Sequence, residues 1–243
     1  MGRLPNSALD VRIVHRDAAL LVLAKPSGLP TTTPDDADCV VRRAQQLDPD
    51  AERLHATSRL DAEVSGLVTF ARTPQAAEAL REARAQGRYG RRYIALTLTP
   101  PAEHEGAWDG TIAIDPRDRR KRVVGPGAQE KHARSRFTVH ERLTHGALLY
   151  LFPETGRTHQ LRVHALAAGA PLFGDRVYGG PTRATAEDGR VVTARRTMLH
   201  CAALQLPDVA AGQGQLSLSL PPPADFVSAY QGLGGRRDLS DPG

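Results

Sequence analysis

Apolar positions along this chain come in short runs divided by glycine, proline and charge, and few runs exceed the length of a strand or a short helix. VRIV at 11–14 and LLVLA at 20–24 read as strands, the second ended by the turn KPSGLP. A helix is predicted around 38–47 and an apolar strand at 66–71. Thr73 before Pro74 supplies an N-cap and a first helical residue, and Gly87 the matching stop. Strands follow at 92–98, 111–114, 135–143 and 147–152, the last two joined through Thr144, His145 and Gly146 as a hairpin. Late strands at 198–206 and 216–220 and a helix near 224–231 complete the series. Strands outnumber helices without regular alternation, which predicts an α+β fold with a mixed, mostly antiparallel central sheet and flanking helices. Residues 1–10 are expected as a flexible lead-in, 11–230 as the folded body and 231–243 as a disordered tail.

One segment breaks the pattern. ETGRTHQLRVHALAAGAPLFGDRVYGG, 154–180, sets Arg157, His159, Arg162 and His164 among helix formers between glycine-rich flanks. With Thr158 as N-cap, Leu161, Ala165 and Ala168 at helical spacing and Gly169 as stop, a helix over 158–168 is predicted. The alternation of Leu161 and Val163 with Arg162 and His164 allows a strand, but the alanine-rich continuation is too long for one. The helix puts His159 and Arg162 on one face, and its N-terminus after Gly156 and Arg157 offers backbone N–H groups to a phosphate or carboxylate. His159 and His164, five apart, are wrongly spaced to share a metal on a helix, leaving them as satisfied or nucleic-acid-facing groups.

Composition narrows the partners. The 243 residues can form one large domain or two subdomains sharing a sheet, and carry a net charge of +5 with only three lysines, Lys25, Lys121 and Lys131. A polyanionic partner fits that balance. The run DPRDRRKR at 115–122 is either a solvated loop or a phosphate-contacting one. Cys39 and Cys201 are too few and too distant for a disulfide framework or zinc site, which points to a reducing compartment. No Walker loop, dinucleotide fingerprint or HExxH spacing is present, so no metal and no organic cofactor is expected. No apolar run reaches membrane-spanning length and no signal-peptide core opens the chain; a soluble cytoplasmic protein is the expectation.

Asp61 stands before the small-residue turn Ser65-Gly66 that leads into an apolar strand. Alone, such an aspartate is usually a turn or cap residue. Its company changes that: RLDAEVSGL at 59–67 resembles the RLDxxTSGLL motif of the RluA-type pseudouridine synthases. VRIVHRDAALLVLAKPSGLPT, RRYIAL, DPRDRRKR with HARSRFTVHERL, ETGRTHQLRVH with GAPLFGDRVYG, and LHCAALQL follow in the same family's order over 11–206. The family's His before the motif arginine and Thr before the Ser-Gly pair are here Ser58 and Val64, and Ala62 stands where a polar or basic residue is common.

The resemblance implies the pseudouridine synthase fold, two subdomains around an RNA-binding cleft, and isomerisation of uridine in ribosomal or transfer RNA by base flipping. It gives Asp61 the role of nucleophile, Tyr93 that of the ring stacked on the uracil, and Arg162 that of the basic partner of the nucleophile. Arg59 is then the arginine inserted near the vacated base position and Leu67 a wall of the uracil pocket, with Arg157 and His159 facing RNA phosphate. Only about ten residues precede the first strand, so RNA selection is expected from the catalytic domain itself, without the S4 domain some members carry, and the chain is expected to act as a monomer. Two other readings are a non-catalytic RNA-binding or RNA-chaperone protein on the same fold, and a nucleoside or glycoside hydrolase. The hydrolase lacks a second carboxylate near Asp61 other than Glu63.

Overall fold

A computed structural model describes residues 10–33 and 37–240, so all of the expected lead-in except Asp10 lies outside the described residues. The chain divides into two compact units, the first made of residues up to Arg91 with 201–221, the second of 92–200 with 222–240.

The first unit opens with β1 (Arg12–Arg16) and β2 (Leu20–Lys25), an antiparallel hairpin. Asp17 caps its turn by accepting the N–H groups of Ala19 and Leu20, both at 2.7 Å. Next come α1 (Val40–Leu47), β3 (His55–Ala56), β4 (Ser65–Ala71) and α2 (Pro74–Ala85). The start of α2 is as predicted, with Thr73 Oγ1 accepting the Ala76 N–H at 3.1 Å. β2 and β4 pair antiparallel, Lys25 opposite Gly66 and Ala24 opposite Leu67, and every residue of both is buried. Strands covered on both faces read as continuous apolar runs, which is why both were legible. Asp48, wholly buried after α1, takes Arg72 Nε and Arg16 Nη2 at 2.7 Å each and ties the helix end to β1 and β4.

The second unit takes up the chain within β5 (Gly90–Thr97) and continues through β6 (Glu105–Ile114), β7 (Arg122–Val124), β8 (Ala128–Leu143), β9 (Gly146–Pro153), α3 (Gln160–Ala167), β10 (Arg183–Thr185) and β11 (Val191–Thr193). The strands from β5 lie in the order β5-β9-β8-β6-β7, all antiparallel. β6 and β8 are longer than predicted because their polar ends pair with each other, Glu105 opposite Thr138 and Thr111 opposite His132, with no apolar alternation to betray them. β10 and β11, three residues each and largely exposed, were likewise invisible to the pattern.

β12 (Leu199–Pro207), from Cys201 onward, returns to the first unit beside β4, and β13 (Gln215–Ser219) pairs antiparallel with β12. α4 (Ala224–Gly232) closes the second unit. Disorder expected from 231 is corrected as far as Ser240: Leu233 and Leu239 are buried, and the Arg237 N–H bonds Tyr230 Oη at 3.0 Å. Two leucines and one arginine anchor a segment whose glycines suggested a tail. Among the described residues no helix is long and apolar enough to cross a membrane.

Candidate active-site residues

Asp61 lies partly exposed in the loop between β3 and β4, and the KPSGLPT turn holds that loop by its backbone on both sides of the aspartate. Lys25, 2% exposed, donates from Nζ to the carbonyls of Ala62 at 3.0 Å and Pro26 at 2.8 Å. Gly28 N–H reaches the same Ala62 carbonyl at 2.7 Å, and Ser27 Oγ donates to the Glu63 carbonyl at 2.8 Å. Thr31 Oγ1 donates to the Leu60 carbonyl at 2.8 Å and accepts the Leu60 N–H at 3.0 Å. The backbone carbonyl of Asp61 closes the turn by accepting the Val64 N–H at 3.1 Å. Bonds from an ammonium are worth roughly twice neutral ones, so residues 60–64 are fixed without any demand on their side chains.

Glycine is required where this loop enters β4. Gly66 has φ +123°, and a Cβ there would stand 2.4 Å from the backbone N and O of Cys201. The two departures from the family motif are absorbed locally. Ser58 Oγ accepts the Thr69 N–H of β4 at 2.9 Å, and Val64 is buried at 2% exposure. Arg59 is exposed, whereas Leu67 is enclosed in the core of β4.

In the second unit α3 begins at Gln160 and not at the predicted Thr158; His159 is its N-cap, in the left-handed region at φ 57° with no side-chain cap bond. Gln160 explains the shift. Its Oε1 accepts the Arg157 N–H at 2.9 Å and the Thr155 hydroxyl at 2.7 Å, while its Nε2 donates to Arg134 O and Ser135 Oγ at 2.9 Å each. At this helix start several N–H groups are used internally: Arg157's by Gln160, Gln160's by Arg157 O, and those of Arg162 and Val163 by His159 O. Arg157 is exposed and donates from Nε to His132 O at 2.8 Å.

Arg162, 3% exposed, forks onto both carboxylate oxygens of Asp175 from Nε and Nη2, each at 2.7 Å. Its guanidinium carbon lies 5.2 Å from the centre of the Tyr178 ring. Tyr178 Oη is 2.8 Å from His159 Nδ1 and accepts the Arg122 N–H at 2.9 Å. Arg162 and His159 thus meet at Tyr178, although His159 precedes the helix on whose face it was predicted. Tyr93 is buried on β5 opposite Leu151. Asp61, Arg59 and Leu67 belong to the first unit, and Tyr93, Arg157, His159 and Arg162 to the second.

Asp175 and Tyr178 escaped the sequence reading as site residues; the available signal was an aspartate and a tyrosine bracketed by glycines in GDRVYGG. His164 resolves toward the core: it is 2% exposed, Nδ1 lies 3.1 Å from Ser135 Oγ, and burial pushes its pKa down to about 4. In the run at 115–122, Arg117, Arg119 and Arg120 are exposed, and the bonds from Arg120 pull the Asp118 carboxyl down to about 2.

Residues 19–167 match the family described as RNA pseudouridylate synthase. The ribosomal large subunit pseudouridine synthase D of Nitrosomonas europaea is 34% identical over 93% of this chain, which spans 66% of that protein's length. The dual-specificity RNA pseudouridine synthase RluA of Escherichia coli is 34% identical over 88% of this chain and 93% of its own. Among solved structures, human RNA pseudouridylate synthase domain containing 4 superposes with a TM-score of 0.69 at 26% identity, covering 91% of this chain and 92% of that one. The matched span runs from the residue before β2 to the last residue of α3, and on that footing the chain belongs to the RNA pseudouridylate synthase family.

Proposed function

We propose that this chain converts uridine in ribosomal or transfer RNA to pseudouridine, with Asp61 as the nucleophile. The observation that carries the reading is the backbone clamp on residues 60–64, which presents a partly exposed carboxylate on a loop held from both sides. A carboxylate can attack an electron-deficient sugar carbon and leave again, as in covalent glycoside chemistry. The C1′–N1 bond breaks, C1′ rejoins the uracil at C5, the C5 proton is lost and N1 gains one. Atoms balance within the substrate, so the isomerisation calls for no cosubstrate.

Reaching the sugar requires the base to leave its stack, at about a few kcal/mol. Arg59, exposed two residues before Asp61, is suited to stack on the exposed neighbours or bond phosphate. Tyr93 is assigned to the uracil ring and Leu67 to its pocket, with Arg157 and His159 toward RNA. Arg162 is assigned to orient the Asp61 carboxylate, its own guanidinium being held by Asp175. The chain is taken to act as a monomer without metal, its exposed large apolar residues Ile13, Leu47, Leu166 and Val191 lying on four different elements. A cytoplasmic location fits its two buried thiols, Cys39 and Cys201.

Asp61→Asn and Asp61→Ala are expected to fold and bind RNA while forming no product. Chemical mapping of pseudouridine in treated ribosomal and transfer RNA checks this, and normal product from either variant refutes the assignment. Maps of total RNA from cells with and without the gene identify the uridine.

A further inference from the structure

The turn after α3 is built around one carboxylate. A Cβ on Gly180 would stand 1.9 Å from the Leu172 carbonyl oxygen, so the chain can fold back on itself there only with glycine. Gly180 N–H bonds Asp175 O at 2.7 Å and Asp175 N–H bonds Leu172 O at 3.1 Å. Inside this turn Asp175 is wholly buried, and its Oδ1 accepts the N–H groups of Val177 at 3.2 Å and Tyr178 at 3.1 Å. The carboxylate is therefore oriented by backbone before it meets Arg162.

Two constraints then act on that arginine. The fork from Asp175 fixes the plane of the guanidinium, and the Tyr178 ring packs against it. A buried ion pair often contributes little to stability once desolvation is counted, so its geometry is the more informative property. Tyr178 also reaches outward. Its hydroxyl accepts the N–H of Arg122, where β7 begins directly after the basic loop. The ring that contacts Arg162 is thus bonded through its far end to the segment bearing exposed Arg117, Arg119 and Arg120.

Building on the reading in which Arg162 serves the reaction of Asp61, we propose that Asp175 and Tyr178 are positioning residues. Asp175 sets the plane of Arg162, and Tyr178 links that side chain to the basic segment, so that RNA engaged there steadies Arg162 in its working orientation.

The test is single-turnover kinetics of the full chain on ribosomal and transfer RNA, tritiated at uridine C5, from cells lacking the gene. Tritium release gives a rate constant and an amplitude. Asp175→Asn is expected to lower the rate constant about 100-fold, and Tyr178→Phe about tenfold, with RNA affinity and amplitude unchanged. A merely structural role would reduce the fraction of protein that is folded and able to bind RNA, read by circular dichroism and RNA titration, and leave the rate constant at saturating enzyme alone. A wild-type rate constant in Asp175→Asn overturns its positioning role, and one in Tyr178→Phe overturns the link to the basic segment. Where Asp175→Asn yields no folded protein, Asp175→Glu, which keeps the charge but displaces the fork, takes its place, and a wild-type rate constant there overturns the positioning role in the same way. Arg162→Ala separates the two levels: inactivity beside a normal Asp175→Asn removes only the positioning role, whereas full activity removes the reading of Arg162 itself.

Discussion

Replacing His164 by leucine should flatten the acid side of the stability profile. In the folded chain this ring is 2% exposed on α3, with Nδ1 against Ser135 Oγ at 3.1 Å and its edge toward Trp108 at 6.3 Å between ring centres. Burial lowers its pKa from 6.5 to about 4. Once the pH drops below 6.5, the unfolded chain takes up a proton that the folded chain refuses, so stability falls with pH. The loss levels off near pH 4, where the folded histidine protonates as well. A gap of about 2.5 units between those two values, at about 1.36 kcal/mol each, sets a ceiling of about 3 kcal/mol.

By pH 5 about 2 kcal/mol of that is already lost, since the unfolded histidine is then nearly all charged and the folded one nearly all neutral. Leucine removes the titration but keeps the apolar contacts, and Ser135 Oγ still accepts from Gln160 Nε2 at 2.9 Å. Among the described residues His164 Nε2 has no hydrogen-bond partner, so the substitution strands no group on that side. Urea unfolding followed by circular dichroism at pH 7 and pH 5 is the assay. The wild type should lose about 2 kcal/mol more than His164→Leu across that interval; equal losses would show that the ring titrates normally.

Gly66→Ala should destabilise by about 2–6 kcal/mol, combining a positive φ with the forced retreat of the Cys201 backbone, and thermal unfolding well within 1 kcal/mol of wild type would contradict the close approach. Asp48→Ala strands Arg72 and Arg16, but both can reach water, so about 2–3 kcal/mol is expected, with the single-turnover rate constant unchanged; a slower rate constant would tie this clasp to catalysis. Ala62→Arg should alter stability by no more than about 0.5 kcal/mol, because the residue is exposed and only its carbonyl is used; a larger loss in urea would speak against a backbone clamp. Arg119→Ala should lower the log-log salt slope of RNA affinity by about 0.7–0.9 if that exposed side chain meets a phosphate, and an unchanged slope would return the loop to plain solvation.

Elements with strong apolar runs were legible because burial on both faces leaves no other pattern: β2 and β4 are the clearest cases. The Thr73-Pro74 start of α2 was legible for a local reason, a cap that forms within four residues. The start of α3 was misplaced for a non-local one. Gln160 reaches back to Arg157 and across to Arg134 and Ser135, and no spacing rule ranks that network above a threonine cap. Motif order singled out Asp61, Tyr93 and Arg162 as candidates, but not the groups that hold Asp61 and Arg162 in place. Lys25 stood only as part of a turn, and Asp175 only as one letter of GAPLFGDRVYG.

The two units hold Asp61 and Arg162 by different physical means, and this bears on which positions can vary. Around Asp61 the bonds fall on the carbonyls of Leu60, Ala62 and Glu63, groups that every amino acid carries. Ala62 therefore departs from the family's usual side chain without touching the clamp, while Lys25 and Thr31, which reach those carbonyls through their own side chains, have no such freedom. Ser58 makes the same point from the other side, since its hydroxyl meets a backbone N–H that a larger residue would have to satisfy in another way. Arg162 is held through side chains, by Asp175 and Tyr178, so a change at either partner acts on the arginine directly. Drift in the aspartate loop can be silent where the backbone does the holding; drift in GDRVYGG cannot.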